Sequence, residues 1–180
     1  MSEIIKPNMI VICGISGSGK TTFAKKIAEL SNYRYLSPDN FYEAVNGSAK
    51  IHENKFEVWM NLFRAIRICE EQGINCIIDS NFPTQCDREQ LIRWFPNFKH
   101  NLIYIKTDPK TCIARNKLRD RVIPEEQMNE IINSFKSPEN DTCIKDWDSF
   151  IIIDATNKGI NNDSLYLDSL IEMFKSSKLI

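Results

Sequence analysis

The sequence predicts an α/β fold: a five-stranded parallel sheet covered by helices on both faces. Three observations carry that prediction. Short apolar runs alternate with helical patterns along the chain. The first run, Met9-Ile10-Val11-Ile12-Cys13, leads straight into Gly14-Ile15-Ser16-Gly17-Ser18-Gly19-Lys20-Thr21. That octet fits G-x-x-x-x-G-K-[ST], the phosphate-binding P-loop, without deviation, and a helical pattern follows it.

Taken in order, Met9 to Cys13 is the first strand and Lys20 to Leu30 the first helix. Tyr33 to Leu36 is a short second strand that ends at Ser37-Pro38-Asp39. A long helix is expected from about Asn54 to Glu71, where Phe56, Trp59, Met60, Phe63, Ile66 and Ile68 recur near helical spacing until Gly73 stops it. Asn75 to Ile78 forms the third strand, closed by Asp79, and Cys86 to Phe95 the next helix. Leu102 to Lys106 is the fourth strand, and Asp108-Pro109 opens another helix. Phe150 to Ile153 is the fifth strand and Leu165 to Phe174 the last helix. Parallel strands joined by helices place ligands beyond their carboxyl ends, where the P-loop, Asp39, Asp79 and the residues after Ile153 all fall.

The P-loop has a specific chemistry. Its glycines let successive N–H groups converge on an anion, and the helix opening at Lys20 aims its positive dipole end at the same point. Gly14, Ile15, Ser16, Gly17, Ser18, Gly19, Lys20 and Thr21 therefore bind the phosphates of a nucleoside triphosphate, with Lys20 at the β- and γ-phosphates and the Thr21 hydroxyl on Mg²⁺. Thr22 is a further hydroxyl donor in that position, or a residue of the helix surface.

Composition narrows the class. A length of 180 residues with 42% hydrophobic and 26% charged content suits one domain spanning residues 1–180. No apolar run reaches membrane-spanning length and no signal-peptide core opens the chain, so a cytoplasmic protein is expected. The six cysteines form no C-x-x-C pair, and His52 and His100 stand alone, so neither zinc nor a disulfide framework is indicated. A net charge of −1 gives no global pull towards nucleic acid, and no stable high-affinity complex with it is expected.

Among nucleotide-binding classes, a GTPase needs N-K-x-D. Asn157-Lys158-Gly159-Ile160 and Asn116-Lys117-Leu118-Arg119 both fail at the fourth position, and Asp79-Ser80-Asn81-Phe82 lacks the D-x-x-G switch. ATP is the expected nucleotide by elimination. A kinase needs three more parts, each of which has a candidate. Asp39, nineteen residues beyond Lys20, is placed to accept the acceptor hydroxyl's proton, although the same aspartate suits an N-cap or turn. Asp79, closing Cys76-Ile77-Ile78, has the position of a carboxylate beside Mg²⁺. Arg115 and Arg119, at i and i+4, would share one helix face in a lid over residues 115–137, with Lys117 and Arg121 nearby. A solvated basic helix is the plainer reading of that run.

These residues together resemble the small P-loop kinases, AAA-type predicted kinases that include the kinase domain of phage polynucleotide 5′-kinase. The resemblance covers roughly residues 9–137. It rests on Gly14 to Thr22, Ser37-Pro38-Asp39-Asn40-Phe41-Tyr42, Ile77-Ile78-Asp79-Ser80-Asn81-Phe82, Arg115-Asn116-Lys117-Leu118-Arg119 and Pro124. It implies a nucleoside-kinase-like P-loop NTPase three-layer sandwich with a helical lid. Asp39 would be the general base and Arg119 the lid arginine at the phosphates, acting with Lys20. Asp79 and Asn81 would line the cleft near metal and acceptor, and Arg88 matches an arginine that many members carry nine positions after the third-strand aspartate. Two departures lower the positive charge on the acceptor side: Tyr42 replaces an arginine three positions beyond the aspartate, and Pro38 replaces a basic residue before it.

The expected activity is Mg²⁺-dependent transfer of the γ-phosphate of ATP to a hydroxyl, with a polynucleotide or nucleotide 5′-hydroxyl first among acceptors. A sugar, nucleoside or antibiotic is the alternative, and a non-catalytic ATP-binding regulator the second alternative. ATP's base is expected near Arg115, in the lid, and near Asp154-Ala155-Thr156-Asn157. Acceptor contacts are expected from Asp39, Tyr42, Asn81 and Arg88, with Tyr42, Phe56 and Trp59 able to stack a base or simply to fill core.

Overall fold

A strand of a parallel sheet covered on both sides must be apolar on both sides, and Asn8–Cys13 (β1) meets that condition, with every residue after Asn8 buried. It lies in the middle of the sheet. The computed structural model of the chain describes residues 5–47, 54–156, Glu172 and Phe174. Within them Arg34–Leu36 (β2), Cys76–Asp79 (β3), Lys99–Lys106 (β4) and Ser149–Asp154 (β5) complete a five-stranded sheet in the order β2-β3-β1-β4-β5. All four pairings are parallel, and Ile12 lies opposite Asp79 on one side and Ile103 on the other.

Side-chain alternation along β1 sorts the core into two layers. Met9, Val11 and Cys13 join Leu102, Ile78 and the inward faces of Lys55–Glu71 (α3) and Gln85–Trp94 (α4). Ile10 and Ile12 join Ile77, Ile103 and Ile105 under Lys20–Leu30 (α1), whose Phe23, Ala24 and Ile27 face the sheet. Phe174 packs in this second layer, its ring centroid 6.0 Å from that of Phe23. The remainder of the expected last helix, Leu165 to Phe174, lies outside the described residues apart from Glu172 and Phe174, both helical.

Two elements differ from the sequence reading. Ser37-Pro38-Asp39 is no simple turn but the start of a helix, Pro38–Asn46 (α2), with the Ser37 side chain accepting from Asp39 N and Pro38 at the first helical position. In the lid segment Pro109–Lys117 (α5) starts where expected but stops short of Arg119, and Glu125–Ser134 (α6) follows Pro124 as expected. Asn116 causes the break. Its buried amide donates to Ile123 O at 2.8 Å and accepts from Ile123 N at 3.1 Å, pinching residues 117–122 into a loop. The helix therefore ends at Lys117, and Arg119 does not share a helical face with Arg115. Two short 3₁₀ turns, Pro138–Asn140 and Thr142–Asp146, lead into β5. Among the described residues no helix is long and apolar enough to cross a membrane.

Candidate functional site

The carboxyl edge of β1 and β3 is the centre of the site. Gly14 follows β1 at φ 148°, and a Cβ there would sit 2.6 Å from Ile105 O on β4, so the loop leaves the sheet where only glycine fits. Gly17, at φ 86°, is excluded from bearing a side chain by α5: the Cβ would lie 2.5 Å from Cys112 O. The α5 backbone thus keeps Gly17 free of a side chain whether or not phosphate is bound.

The P-loop carbonyls are held from behind. Thr107 Oγ1 donates to Ser18 O at 3.2 Å, and the Arg115 guanidinium reaches Ser18 O at 3.3 Å and Gly17 O at 3.5 Å. Because a trans peptide is planar, fixing Ser18 O turns the Gly19 N–H to the opposite side, as an anion nest requires. Arg115 also donates to Ala155 O at 3.0 Å, so it joins the P-loop to the segment after β5. Of the expected base-binding residues there, Asp154, Ala155 and Thr156 are placed, and Asn157 lies outside the described residues.

Lys20 opens α1 almost fully buried, 7% exposed, and its Nζ donates to Ile15 O at 2.9 Å. Burial pushes its pKa below the ordinary lysine value, and the nearby Asp79 carboxylate opposes that shift. Arg119 acts on Lys20 in the same sense as burial, so its charge is felt at the P-loop. Asp79 is itself only 4% exposed and accepts a 2.8 Å hydrogen bond from Tyr35 Oη. Burial first, and the Asp79 charge second, raise the Tyr35 hydroxyl's pKa, so it remains a proton donor to that carboxylate. Sequence reasoning missed Tyr35, because its approach to Asp79 depends on β2 pairing with β3.

Thr21 is half-buried and adjoins Lys20 at the start of α1, while Thr22 is exposed. The Thr21 hydroxyl and the Asp79 carboxylate offer hard oxygen donors to the cleft, a set that suits Mg²⁺ completed by phosphate and water. Among the described residues no cluster of three or more His, Cys, Asp or Glu side chains could hold a metal alone.

Asn81 reaches the P-loop directly: its Nδ2 lies 3.4 Å from Ser16 Oγ, and its carbonyl accepts from Gly14 N at 3.4 Å. Asp39 is the second residue of α2, exposed, with Oδ1 3.7 Å from Arg121 Nη1 in the loop after α5. Tyr42, one turn on, is buried, and burial, then Asp39, raise its pKa while Arg121 lowers it. Asp39, Tyr42 and Arg121 thus form one group at the start of α2.

Arg88 does not join them. It is fully buried, with Nε and Nη2 on the two Asp141 oxygens at 2.6 and 2.7 Å, Nη1 on Phe82 O at 2.6 Å and Nη2 also on Lys136 O at 3.0 Å. Each guanidinium nitrogen is engaged inside the protein, which corrects the expectation of an acceptor contact. What it holds is the loop after β3, where Phe82 sits at φ 42°. A bulky side chain in the left-handed region costs about 1–3 kcal/mol and persists only where its surroundings enforce it. Phe56 is 81% exposed and so fills no core, whereas Trp59 faces Phe63 and Phe82.

Comparison with known proteins agrees with this architecture. A family model described as an AAA domain matches residues 9–138. A gluconokinase from Sinorhizobium meliloti 1021 is similar in fold, with 16% identity, a TM-score of 0.60, and coverage of 95% of this chain and 97% of that one. Kti12 of Chaetomium thermophilum in complex with ADP-AlF3 is similar at 17% identity and a TM-score of 0.66, covering 93% and 97%. A chain of a Pnkp1/Rnl/Hen1 RNA repair complex is similar at 14% identity and a TM-score of 0.65, over 74% of this chain and 45% of that one. No curated protein sequence matches. The fold is that of the P-loop kinases.

Proposed function

The chain belongs to the AAA-domain family over residues 9–138, and from that premise we propose that it is a kinase, moving the γ-phosphate of ATP to an acceptor hydroxyl with Mg²⁺. The observation that carries this reading is the convergence on one sheet edge of buried Lys20, buried Asp79 and, across the cleft, the Asp39 carboxylate. A nucleotide switch needs the first two but has no use for the third.

In this reading the P-loop amides and Lys20 hold the β- and γ-phosphates. Thr21 and Asp79 hold Mg²⁺, which supplies countercharge to the phosphates when bound. Asp39 orients the acceptor hydroxyl and takes its proton, a contribution of about 10²–10⁴-fold. Arg119, in a lid over residues 115–137, neutralises charge on the transferring group. Arg115 braces the P-loop and the β5 exit near the nucleotide base. A nucleic-acid or nucleotide 5′-hydroxyl is the first acceptor, supported by the motif resemblance and by Asn81 and Tyr42 facing the same cleft.

The test is ATP consumption with Mg²⁺ against 5′-hydroxyl DNA and RNA oligonucleotides, nucleosides, sugars and aminoglycosides, with products read by mass. A phosphoryl gain on oligonucleotides or nucleosides upholds the full reading. A gain on sugars or aminoglycosides alone keeps the kinase and replaces the acceptor. ATP binding without any product makes the protein a nucleotide-binding regulator.

A further inference from the structure

Between α3, α4 and the loop after β3 lies a cavity of about 180 Å³. Its walls are Trp59 and Phe63 from α3, Trp94 and Gln90 from α4, and Ser80 and Phe82 from the loop. We propose that this cavity is the acceptor's recognition site and takes a planar heteroaromatic ring, a nucleobase. The inference rests on the phosphotransferase reading and adds to it the chemistry of the substrate.

Continuity with the reaction cleft is the first argument. Ser80 follows Asp79 directly, and Asn81 after it touches Ser16 of the P-loop, so cavity wall and cleft floor are consecutive residues of one strand end. On the other side, Phe41 of α2 packs into the same core layer as Trp59 and Phe63, two residues from Asp39. The sugar of a nucleoside whose ring fills the cavity would extend towards the strand end that carries Asp79 and Asn81.

The lining selects the class. The aromatic rings pack edge-on or tilted: Phe63 and Trp94 at 5.0 Å and 83°, Trp59 and Phe82 at 6.4 Å and 67°, Trp59 and Phe63 at 5.6 Å and 41°. Aromatic walls favour a flat π-surface, and a heteroaromatic ring fills such a slot without burying hydroxyls that need partners. Asp87 Oδ2 accepts from the Thr84 amide at 2.9 Å and its hydroxyl at 2.6 Å, and Oδ1, outside that contact, leaves the carboxylate an acceptor on the cavity wall. Ser80, the Asp87 carboxylate and the Gln90 amide, whose Nε2 also donates to Cys86 Sγ at 3.7 Å, stand on the wall to read a ring's polar edge. The volume exceeds the roughly 150 Å³ that accommodates benzene in an apolar cavity.

The cavity is also held open. Trp94 is 43% exposed instead of folding into the gap, and its carbonyl is bound by the Arg67 guanidinium. Phe82 is fixed in its left-handed conformation through Arg88. Aromatic side chains that could collapse together are instead anchored by their backbones along the cavity wall.

Tryptophan fluorescence of the full chain tests this with ADP saturating the P-loop. Thymidine, cytidine and a 5′-hydroxyl oligonucleotide are titrated, with ribose and gluconate as ring-free probes. Saturable quenching by the nucleosides, weakened about tenfold or more by Trp94→Ala and retained by Trp94→Phe, is expected, with Trp59 as reporter in both variants. Quenching by the oligonucleotide alone keeps the ring site and makes a nucleic-acid end its source. No saturable response to either, or equal affinity in Trp94→Ala, overturns the inference. Should Trp94→Ala fail to fold, photocrosslinking of 5-iodouridine to the wild-type chain must label the cavity walls, residues 59–63 or 80–94, and labelling elsewhere overturns it. Turnover on gluconate with no nucleobase binding would remove the ring site and leave the kinase. Nucleobase binding without turnover on any acceptor would remove the kinase and leave the ring site.

Discussion

Arg121 stands 3.7 Å from Asp39, so the loop after α5 spans the cleft to the first turn of α2. The side chains are 36% and 60% exposed, and an ion pair that open contributes about 0–1 kcal/mol. Its value is positional: it places the α5–α6 loop beside the carboxylate proposed as the base. Asp39→Asn should therefore leave thermal stability and ATP affinity unchanged while kcat falls at least about 10²-fold. Steady-state kinetics beside a direct ATP titration checks this, and an unchanged kcat would remove Asp39 from the chemistry.

Arg119 lies beyond the end of α5, in the loop that Asn116 closes on Ile123, and its charge reaches Lys20. Arg119→Ala should lower kcat more than it weakens ADP binding, because the guanidinium meets charge that grows in the transition state. Asn116→Ala removes the clamp without removing the charge. It should reduce kcat in the same direction but by less, with ADP affinity retained. The opposite ranking would make Arg119 a nucleotide clamp.

How far this site can be read from sequence depends on how local each part is. The P-loop is contiguous, so eight residues specify it, and the parallel sheet follows from apolar runs that end in glycine or aspartate. Helix α2 had its signals, Ser37 as cap, Pro38 at the first position and Gly47 beyond the end, but it is only nine residues long and Ser-Pro-Asp-Asn suits a turn as well as a helix start. Arg115 and Arg119 were expected on one helix face because spacing says nothing of a side chain that ends the helix, as Asn116 does. Arg88 resembles a surface residue because its partner Asp141 lies fifty-three positions away. The aromatic cavity is equally non-local, with Trp59 in one helix and Trp94 in another.

Gly17 has two reasons to be glycine, its φ of 86° and the Cys112 carbonyl against its missing Cβ. Gly47 has one, a φ of 70° with nothing within 4 Å. Gly47→Ala should cost only the left-handed penalty of about 1–2 kcal/mol and leave ATP affinity alone. Gly17→Ala must also displace α5 or the P-loop, and a tenfold or greater loss of ATP affinity is expected by calorimetry. Equal behaviour of the two variants would mean that the loop absorbs a side chain at Gly17.

His100 is buried on β4, with Nε2 2.9 Å from Phe95 O. Burial pushes its pKa below the ordinary 6.5, against opposing pulls from Phe95 O and Asp148. Between the folded and unfolded pKa values the unfolded chain binds more protons, so stability rises with pH there. The contribution is full above pH 6.5 and is lost as pH falls below it. Melting temperature should therefore drop between about pH 7.5 and 5.5, and His100→Gln should flatten that slope. Parallel slopes would assign the loss to other groups.

The Arg88–Asp141 pair is the deepest charge contact described, and removing one partner leaves the other buried and uncompensated. Arg88→Met and Asp141→Leu should each destabilise by about 3–5 kcal/mol in urea unfolding. Combining them removes both charges and should recover part of that loss. Recovery stays incomplete, because Arg88 also satisfies Phe82 O and Lys136 O, which methionine cannot reach as a donor. The residual cost then reports how much of the loop after β3 depends on Arg88 itself. Additive single effects, with no coupling in the cycle, would show that Arg88 acts on Phe82 independently of Asp141.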